Sequence, residues 1–454
     1  MGTEFLWLSL VAISSCAAAS GCIHSLEEAA PTATGYLPIN QTSGSSMFFA
    51  YYEAMQNSTS VATSADFDVS HEDDPTPILL WLQGGPGCSG MIGNFFELGP
   101  WRVGEDQCLH RNPAPWNRIF GLLFLDNPVG SGFSIAPLIE DIPTNQAGIA
   151  RDVYTALQGF YDLFPAFRKR PFYVTGESYA GKYVPSVATY ILQKQEQGGW
   201  LRLDGVAIGN GLTHPIVQIQ DHGPTAYHMG VIDENQRETV DAIAMKVVAL
   251  IEEENWLDAY HSRVELLDFL TNVTDLATLY DVTKTVGYYL TANGTDYLMA
   301  FLNKKEVQTS LLKVEPRLWE ECNSTVRERM AADVPKSTML LVELLLNQSV
   351  PVLLYQGQFD LRDGVTSSEA WIRLLNWDGR KSFHAAERKV WKESDITAGY
   401  VRSFGSLTHV VISNAGHLVP ADQAYNSQRM IEGWITDNGE LRAQNSFKFY
   451  NTIN

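Results

Sequence analysis

Three residues in this chain have the types and settings needed for nucleophilic catalysis: Ser178, Asp360 and His417. The run Phe172-Tyr-Val-Thr-Gly176-Glu177-Ser178-Tyr179-Ala180-Gly181 puts four β-prone residues before a glycine and then a serine. A segment that reads as a helix follows, from Tyr183 to Gln195, with Pro185 in its first turn. A strand, a sharp turn and a helix hold a serine hydroxyl clear of the backbone, provided the flanking residues are small. Here they are Gly176 and Ala180, so the G-x-S-x-G pattern ends in Ala. By itself that pattern is common in ordinary turns. Two further segments repeat the form. Pro351-Val-Leu-Leu-Tyr355 runs into Gln-Gly-Gln-Phe-Asp360, and His409-Val-Val-Ile412 runs into Ser-Asn-Ala-Gly416-His417. Each puts an ionisable residue just past the C-terminal end of an apolar strand, where open α/β sheets carry their reactive groups. His417 can take the proton of Ser178 as it attacks and return it to a leaving amine, and Asp360 can fix the histidine tautomer. Singly, Asp360 reads as a loop cap and His417 as a packed turn residue. Of the ten histidines, only His417 combines a preceding strand with a glycine turn.

The elements that must position them form an alternating pattern. Strands are expected at Met47–Glu53, Ile78–Leu82, Leu122–Asp126, Phe172–Thr175 and Val206–Ile208, and again from Val350. The order Ser, Asp, His along such a pattern is that of an α/β-hydrolase fold with a mostly parallel sheet. Pro77-Ile-Leu-Leu-Trp81-Leu82 runs into Gln83-Gly84-Gly85-Pro86-Gly87-Cys88. A glycine-rich turn there can aim a backbone N–H at a developing oxyanion. Gly85 is the expected upstream donor and Tyr179, the residue after the nucleophile, the second. Residues 57–76 read as a polar, acidic hairpin loop. Residues 214–335 change character: Glu-, Leu- and Asn-rich with helical periodicity at Glu238–Glu254 and Arg263–Phe269. The expected organisation is a leader over 1–20, a first core part over 21–213, a helical cap over 214–335 and a second core part over 336–454. Leu340 to Leu346 reads as a core helix.

Composition narrows the function classes. Hydrophobic content of 45% excludes a disordered chain, and a formal charge of −20 argues against nucleic acid. Residues 5–19 are an apolar run ending in Ala17-Ala-Ala-Ser20, like a secretory leader, but with Glu4 and no basic residue ahead of it. The run is short for a membrane span, and no integral segment is expected in the mature chain. Six N-x-S/T sequons, at Asn40, Asn57, Asn272, Asn293, Asn323 and Asn347, favour the secretory route, ending outside the cell or in a lysosome or vacuole. Of five cysteines, Cys16 would leave with the leader, and the other four allow three pairings. No Cys or His spacing suggests a metal site, and no cofactor is expected. A homodimer is left open.

Gly84-Gly-Pro-Gly-Cys88, Glu97-Leu-Gly-Pro100, Leu125-Asp-Asn-Pro-Val-Gly-Ser-Gly-Phe-Ser134, Gly176-Glu-Ser-Tyr-Ala-Gly181, Gly209-Asn-Gly211 and Gly416-His417 together resemble the blocks of the serine carboxypeptidases, in the same order, over residues 36–435. Trp81-Leu-Gln-Gly-Gly and Lys389-Val-Trp-Lys point to the vitellogenic-like branch. The resemblance implies an acid exopeptidase that acts on peptides with a free C-terminus through an acyl-enzyme. It implies that Gln83, Glu97 and Glu177 grip the substrate's terminal carboxylate, and that Cys88 pairs with Cys322. The family's usual block has Asn where this chain has Gln83. From its surroundings alone Glu97 reads as a helix-surface residue. Two other readings use the same scaffold: an esterase or acyltransferase, and a protective or binding subunit with secondary activity.

Overall fold

The computed structural model describes residues 26–57, 75–436 and 441. The expected leader, Cys16, Cys22 and most of the 57–76 loop lie outside them. Twelve strands occur among the described residues: β1 Ala33–Asn40, β2 Ser45–Tyr52, β3 Ile78–Leu82, β4 Trp101–Val103, β5 Leu109–Arg111, β6 Gly121–Leu125, β7 Phe172–Glu177, β8 Gly205–Gly209, β9 Val352–Gly357, β10 Lys389–Glu393, β11 Ile396–Phe404 and β12 Leu407–Ile412. Ten of them make one sheet in the order β1-β2-β6-β3-β7-β8-β9-β12-β11-β10, while β4 and β5 form a separate ribbon. The six central strands, β6 to β12 in that order, run parallel, and the two strands at each edge attach antiparallel.

The central strands are apolar on both faces because both faces are covered. Ile-Leu-Leu-Trp-Leu in β3 shows this. Leu80 and Leu82 join Val174 and Val206 against Val153 and Leu157 of helix α1 (Gln146–Leu163) and Val187 and Ile191 of helix α2 (Ala180–Glu196). Leu79 and Trp81 face the other way and pack with Phe124, Leu353, and Met430, Ile431 and Trp434. Asn145 caps α1, its side chain accepting the Gly148 N–H at 3.0 Å.

Between β8 and β9 the chain leaves the sheet. Helices α3 (Glu234–Glu252) and α4 (Trp256–Thr274) pack through Val240, Ala244, Val247, Leu266, Leu267 and Leu270, and Leu361 from the loop after β9 joins that cluster. Asp233 and Gln236 form a reciprocal capping box at the start of α3. The Leu340–Leu346 stripe lies in helix α5 (Met339–Asn347). It buries Val342, Leu345 and Leu346 but leaves Leu340 exposed, so only one face is core.

Leu80 is fully buried at the centre of the sheet. Replacing it with Ala should cost about 2–5 kcal/mol and lower the urea midpoint accordingly. A loss below about 1 kcal/mol would contradict the packing described here.

Candidate active site

Ser178 follows β7 directly and has φ of +61°, a left-handed conformation unfavourable for a side chain. Three backbone bonds hold it there. Its N–H donates to Gly209 O at 2.9 Å, and its carbonyl accepts from Gly181 and Leu212, each at 2.9 Å. Close approaches explain the small residues. A Cβ on Gly176 would stand 2.4 Å from Leu82 O and 2.7 Å from Ala180 Cβ, and one on Gly84 would stand 2.5 Å from Ser178 Cβ. The Gly84–Gly85 turn therefore lies directly on the nucleophile turn. Gly85, Ser178 and Tyr179 line one cleft. Among the described residues no backbone hydrogen bond engages the N–H of Gly85 or Tyr179. The Tyr179 hydroxyl is anchored by donating to Asp333 Oδ2 at 2.7 Å.

Asp360 and His417 follow β9 and β12, which are paired in parallel register. His417 Nδ1 is 2.6 Å from Asp360 Oδ2. The same oxygen accepts from Asn210 Nδ2 at 2.7 Å, and Oδ1 accepts from the N–H groups of Arg362 at 2.8 Å and Asp363 at 3.3 Å. His417 is 1% exposed, and its Nε2 has no hydrogen-bond partner among the described residues. The Asp360–His417 contact is thus formed while the second ring nitrogen remains uncommitted.

Composition and spacing missed what locks His417 in place. The segment around Tyr280 lies between β8 and β9 and reaches the loops that carry Asp360 and His417. Leu361 N–H donates to Leu279 O at 3.0 Å, Val282 N–H to Phe359 O at 3.1 Å, and His417 N–H to Tyr280 O at 2.7 Å. The Tyr280 ring stacks on the imidazole at 4.4 Å between centroids, 25° from parallel. Asp422 accepts the Gly416 N–H at 2.9 Å and also receives Lys284 Nζ and the Tyr288 hydroxyl. Asn210 lay within the Gly209-Asn-Gly211 block, the one available signal for it. Tyr280 and Asp422 left no mark that sequence could have shown.

Gln83, Glu97 and Glu177 come together and are 4%, 0% and 0% exposed. Gln83 Nε2 donates to Glu177 Oε1 at 2.7 Å and to Glu97 Oε1 at 3.2 Å, and Trp81 Nε1 donates to Gln83 Oε1 at 2.8 Å. The longer amide thus reaches both carboxyls. The backbone of Glu97 is pinned by Arg102 Nε at 3.1 Å and Asn112 Nδ2 at 3.0 Å on its carbonyl. Glu97 is therefore a core residue, unlike its surface reading, because its side chain meets Gln83 just past β3, whose amide also bonds Glu177 at the end of β7. Burial pushes the Glu97 carboxyl up to about 7. Burial first, and then the neighbouring charge of Glu97, hold Glu177 well above the ordinary range. Glu97 Oε2 and Glu177 Oε2 are buried with no hydrogen-bond partner among the described residues.

Cys88 and Cys322 form a disulfide, in the cleft wall beside Gly85 and Ser178. Cys108 is also disulfide-bonded. Asn40, Asn272, Asn293 and Asn347 are exposed, and Asn323 is half-buried, capping the helix 324–330 through its Oδ1. Asn57 closes the helical turn Met55–Asn57. No group of acidic, His or Cys residues suited to a metal occurs among the described residues.

With this geometry in hand, the sequence matches the serine carboxypeptidase family model over residues 25–437. The chain belongs to the serine carboxypeptidase family. It is 46% identical over 434 residues to serine carboxypeptidase-like 50 of Arabidopsis thaliana, covering 94% of each chain. To the probable serine carboxypeptidase CPVL of Homo sapiens it is 32% identical, covering 89% of this chain and 83% of that one. A prohormone-processing carboxypeptidase from Saccharomyces cerevisiae superposes with a TM-score of 0.75 at 24% identity, over 91% of this chain and 92% of the other, and shares the fold. The protein is a serine-type carboxypeptidase with an α/β-hydrolase fold.

Raised carboxyl pKa values have a consequence for stability. Between about pH 4.5 and 7 the folded protein holds a proton on Glu97 that the unfolded chain has released. Stability therefore falls as pH rises across that window. Calorimetry should show Tm dropping by a few degrees, and Glu97→Gln should flatten the slope. A Tm that rises with pH there would contradict the burial of uncharged carboxyls.

Proposed function

We propose that this carboxypeptidase removes single C-terminal residues in acid, with Ser178 as nucleophile, His417 as base and then acid, and Asp360 as its orienter. Ser178 Oγ attacks the scissile carbonyl while His417 Nε2 takes the hydroxyl proton. The N–H groups of Gly85 and Tyr179 stabilise the oxyanion. Collapse of the intermediate breaks the C–N bond, with His417 returning the proton to the leaving amino acid. Water, deprotonated by the same nitrogen, then hydrolyses the acyl-Ser178 ester.

One observation carries the exopeptidase reading: the buried acid pair includes Glu177, the residue next to the nucleophile. A carboxylate held there sits one residue from the scissile carbonyl, so one residue leaves. In acid both carboxyls are protonated. A protonated carboxyl there is a donor for the substrate carboxylate. Above about pH 7, where Glu97 ionises, the pair repels that carboxylate. The insertion over 214–335 acts as a cap, bringing Tyr280 and Asp333 to the catalytic loops. The disulfides and exposed sequons support a glycosylated protein of the secretory route, and the acid-dependent grip suits an acidic compartment.

A blocked dipeptide with a free or amidated C-terminus, assayed from about pH 4 to 8, tests this. The free acid should be cleaved with KM rising as pH approaches about 7, the amide poorly, and Ser178→Ala should lower kcat by about 10⁴–10⁶. Equal cleavage of both forms, or of esters alone, would instead support the esterase or acyltransferase reading.

A further inference from the structure

The cleft holding Ser178 extends away from the acid pair. Its volume is about 360 Å³, and its lining includes none of Gln83, Glu97 and Glu177. If those residues hold the leaving residue, as proposed above, this cleft receives the acyl side of the scissile bond. Its far wall is formed by α4 and the loop after β9 and carries two guanidinium groups, Arg263 and Arg362.

Neither group has a hydrogen-bond acceptor among the described residues. Arg263 is 6% exposed, yet among the described residues its guanidinium makes no hydrogen bond, and neither does that of Arg362. The carboxylate beside them is Asp363, 4.0 Å from Arg263 and 3.9 Å from Arg362, beyond hydrogen-bond reach. Asp363 Oδ1 is itself buried without a hydrogen-bond partner. Arg362 lies over the Tyr280 ring at 5.0 Å, which occupies one face but none of its N–H donors. Each guanidinium offers five N–H donors in a planar fork. Burying such a charge without acceptors is costly, and the fork matches a carboxylate held by two parallel bonds. Arg327 and Asp268 also line the cleft, and both are exposed. Counting three arginines against two aspartates, the cleft carries a net positive charge.

We propose that this cleft is selective for an acidic side chain on the residue supplying the scissile carbonyl, so that peptides with Asp or Glu in the penultimate position are the preferred substrates. Arg263 and Arg362 receive that carboxylate, and Asp363 holds the two guanidinia apart in its absence.

The test uses the full-length enzyme and three blocked dipeptides that share one C-terminal residue and carry Glu, Gln or Lys before it. At about pH 5.5 the glutamate is mostly ionised. Wild-type kcat/KM should favour Glu over Gln by about 10- to 100-fold, with Lys lowest. The Glu/Gln ratio should fall to about one in Arg263→Gln and drop sharply in Arg362→Gln. Arg362 is partly exposed, so its variant tests the idea even if Arg263→Gln does not fold. Equal wild-type turnover of Glu and Gln would overturn the acidic preference and leave the carboxypeptidase reading standing. Wild-type preference for Glu with the ratio unchanged in both variants would remove these arginines from recognition. No cleavage of any of the three would overturn the reading on which the proposal rests.

Discussion

The contact between Asp360 and His417 is the one on which the rest of the site depends. A buried carboxylate must have its lone pairs filled. Asp360 meets that demand with four donors from three places: His417 after β12, Asn210 after β8, and two backbone N–H groups of its own loop. The imidazole is consequently fixed at one edge by Asp360 and on one face by Tyr280, whose segment bonds to both catalytic loops. The segment inserted between β8 and β9 therefore holds His417 in place as well as forming a wall of the cleft.

Charge divides the surroundings of Ser178 into two unlike halves. On one side, two buried glutamates accept from one amide, that of Gln83, and their chemistry turns on whether they are protonated. On the other, two arginines face the cleft with one carboxylate between them. The halves meet at Ser178, whose positive φ is sustained by bonds to Gly209, Gly181 and Leu212. Removing the Gly84 turn would leave the nucleophile turn without the surface it rests on. Strain at the nucleophile is thus offset by packing between turns that follow β3, β7 and β8.

Much of this was legible in the sequence where the signal was local. The apolar runs of β3, β6, β7, β8, β9 and β12 are short and unbroken because both their faces are covered, and that pattern reads directly as parallel strands. Ser178, Asp360 and His417 were visible because each follows such a run. The edge strands were harder. In β10 only Trp391 is buried, and β1 is mostly half-exposed, so neither shows a clean periodicity. Glu97, Tyr280 and Asp422 were opaque for another reason. Their roles come from partners elsewhere in the chain, and a glutamate bonded to Gln83 looks in sequence like any glutamate on a helix. The Cys88–Cys322 pairing followed from family resemblance, since four cysteines alone leave three pairings open.

Ser178 as the covalent nucleophile is the central claim, and it can be tested without altering the chain. The enzyme would be treated with an organofluorophosphate, digested and mapped by mass spectrometry. One phosphoryl group per chain, on Ser178, with activity lost in proportion, is the result expected. Full inactivation with the label on another residue, or retained activity with Ser178 labelled, would contradict the account.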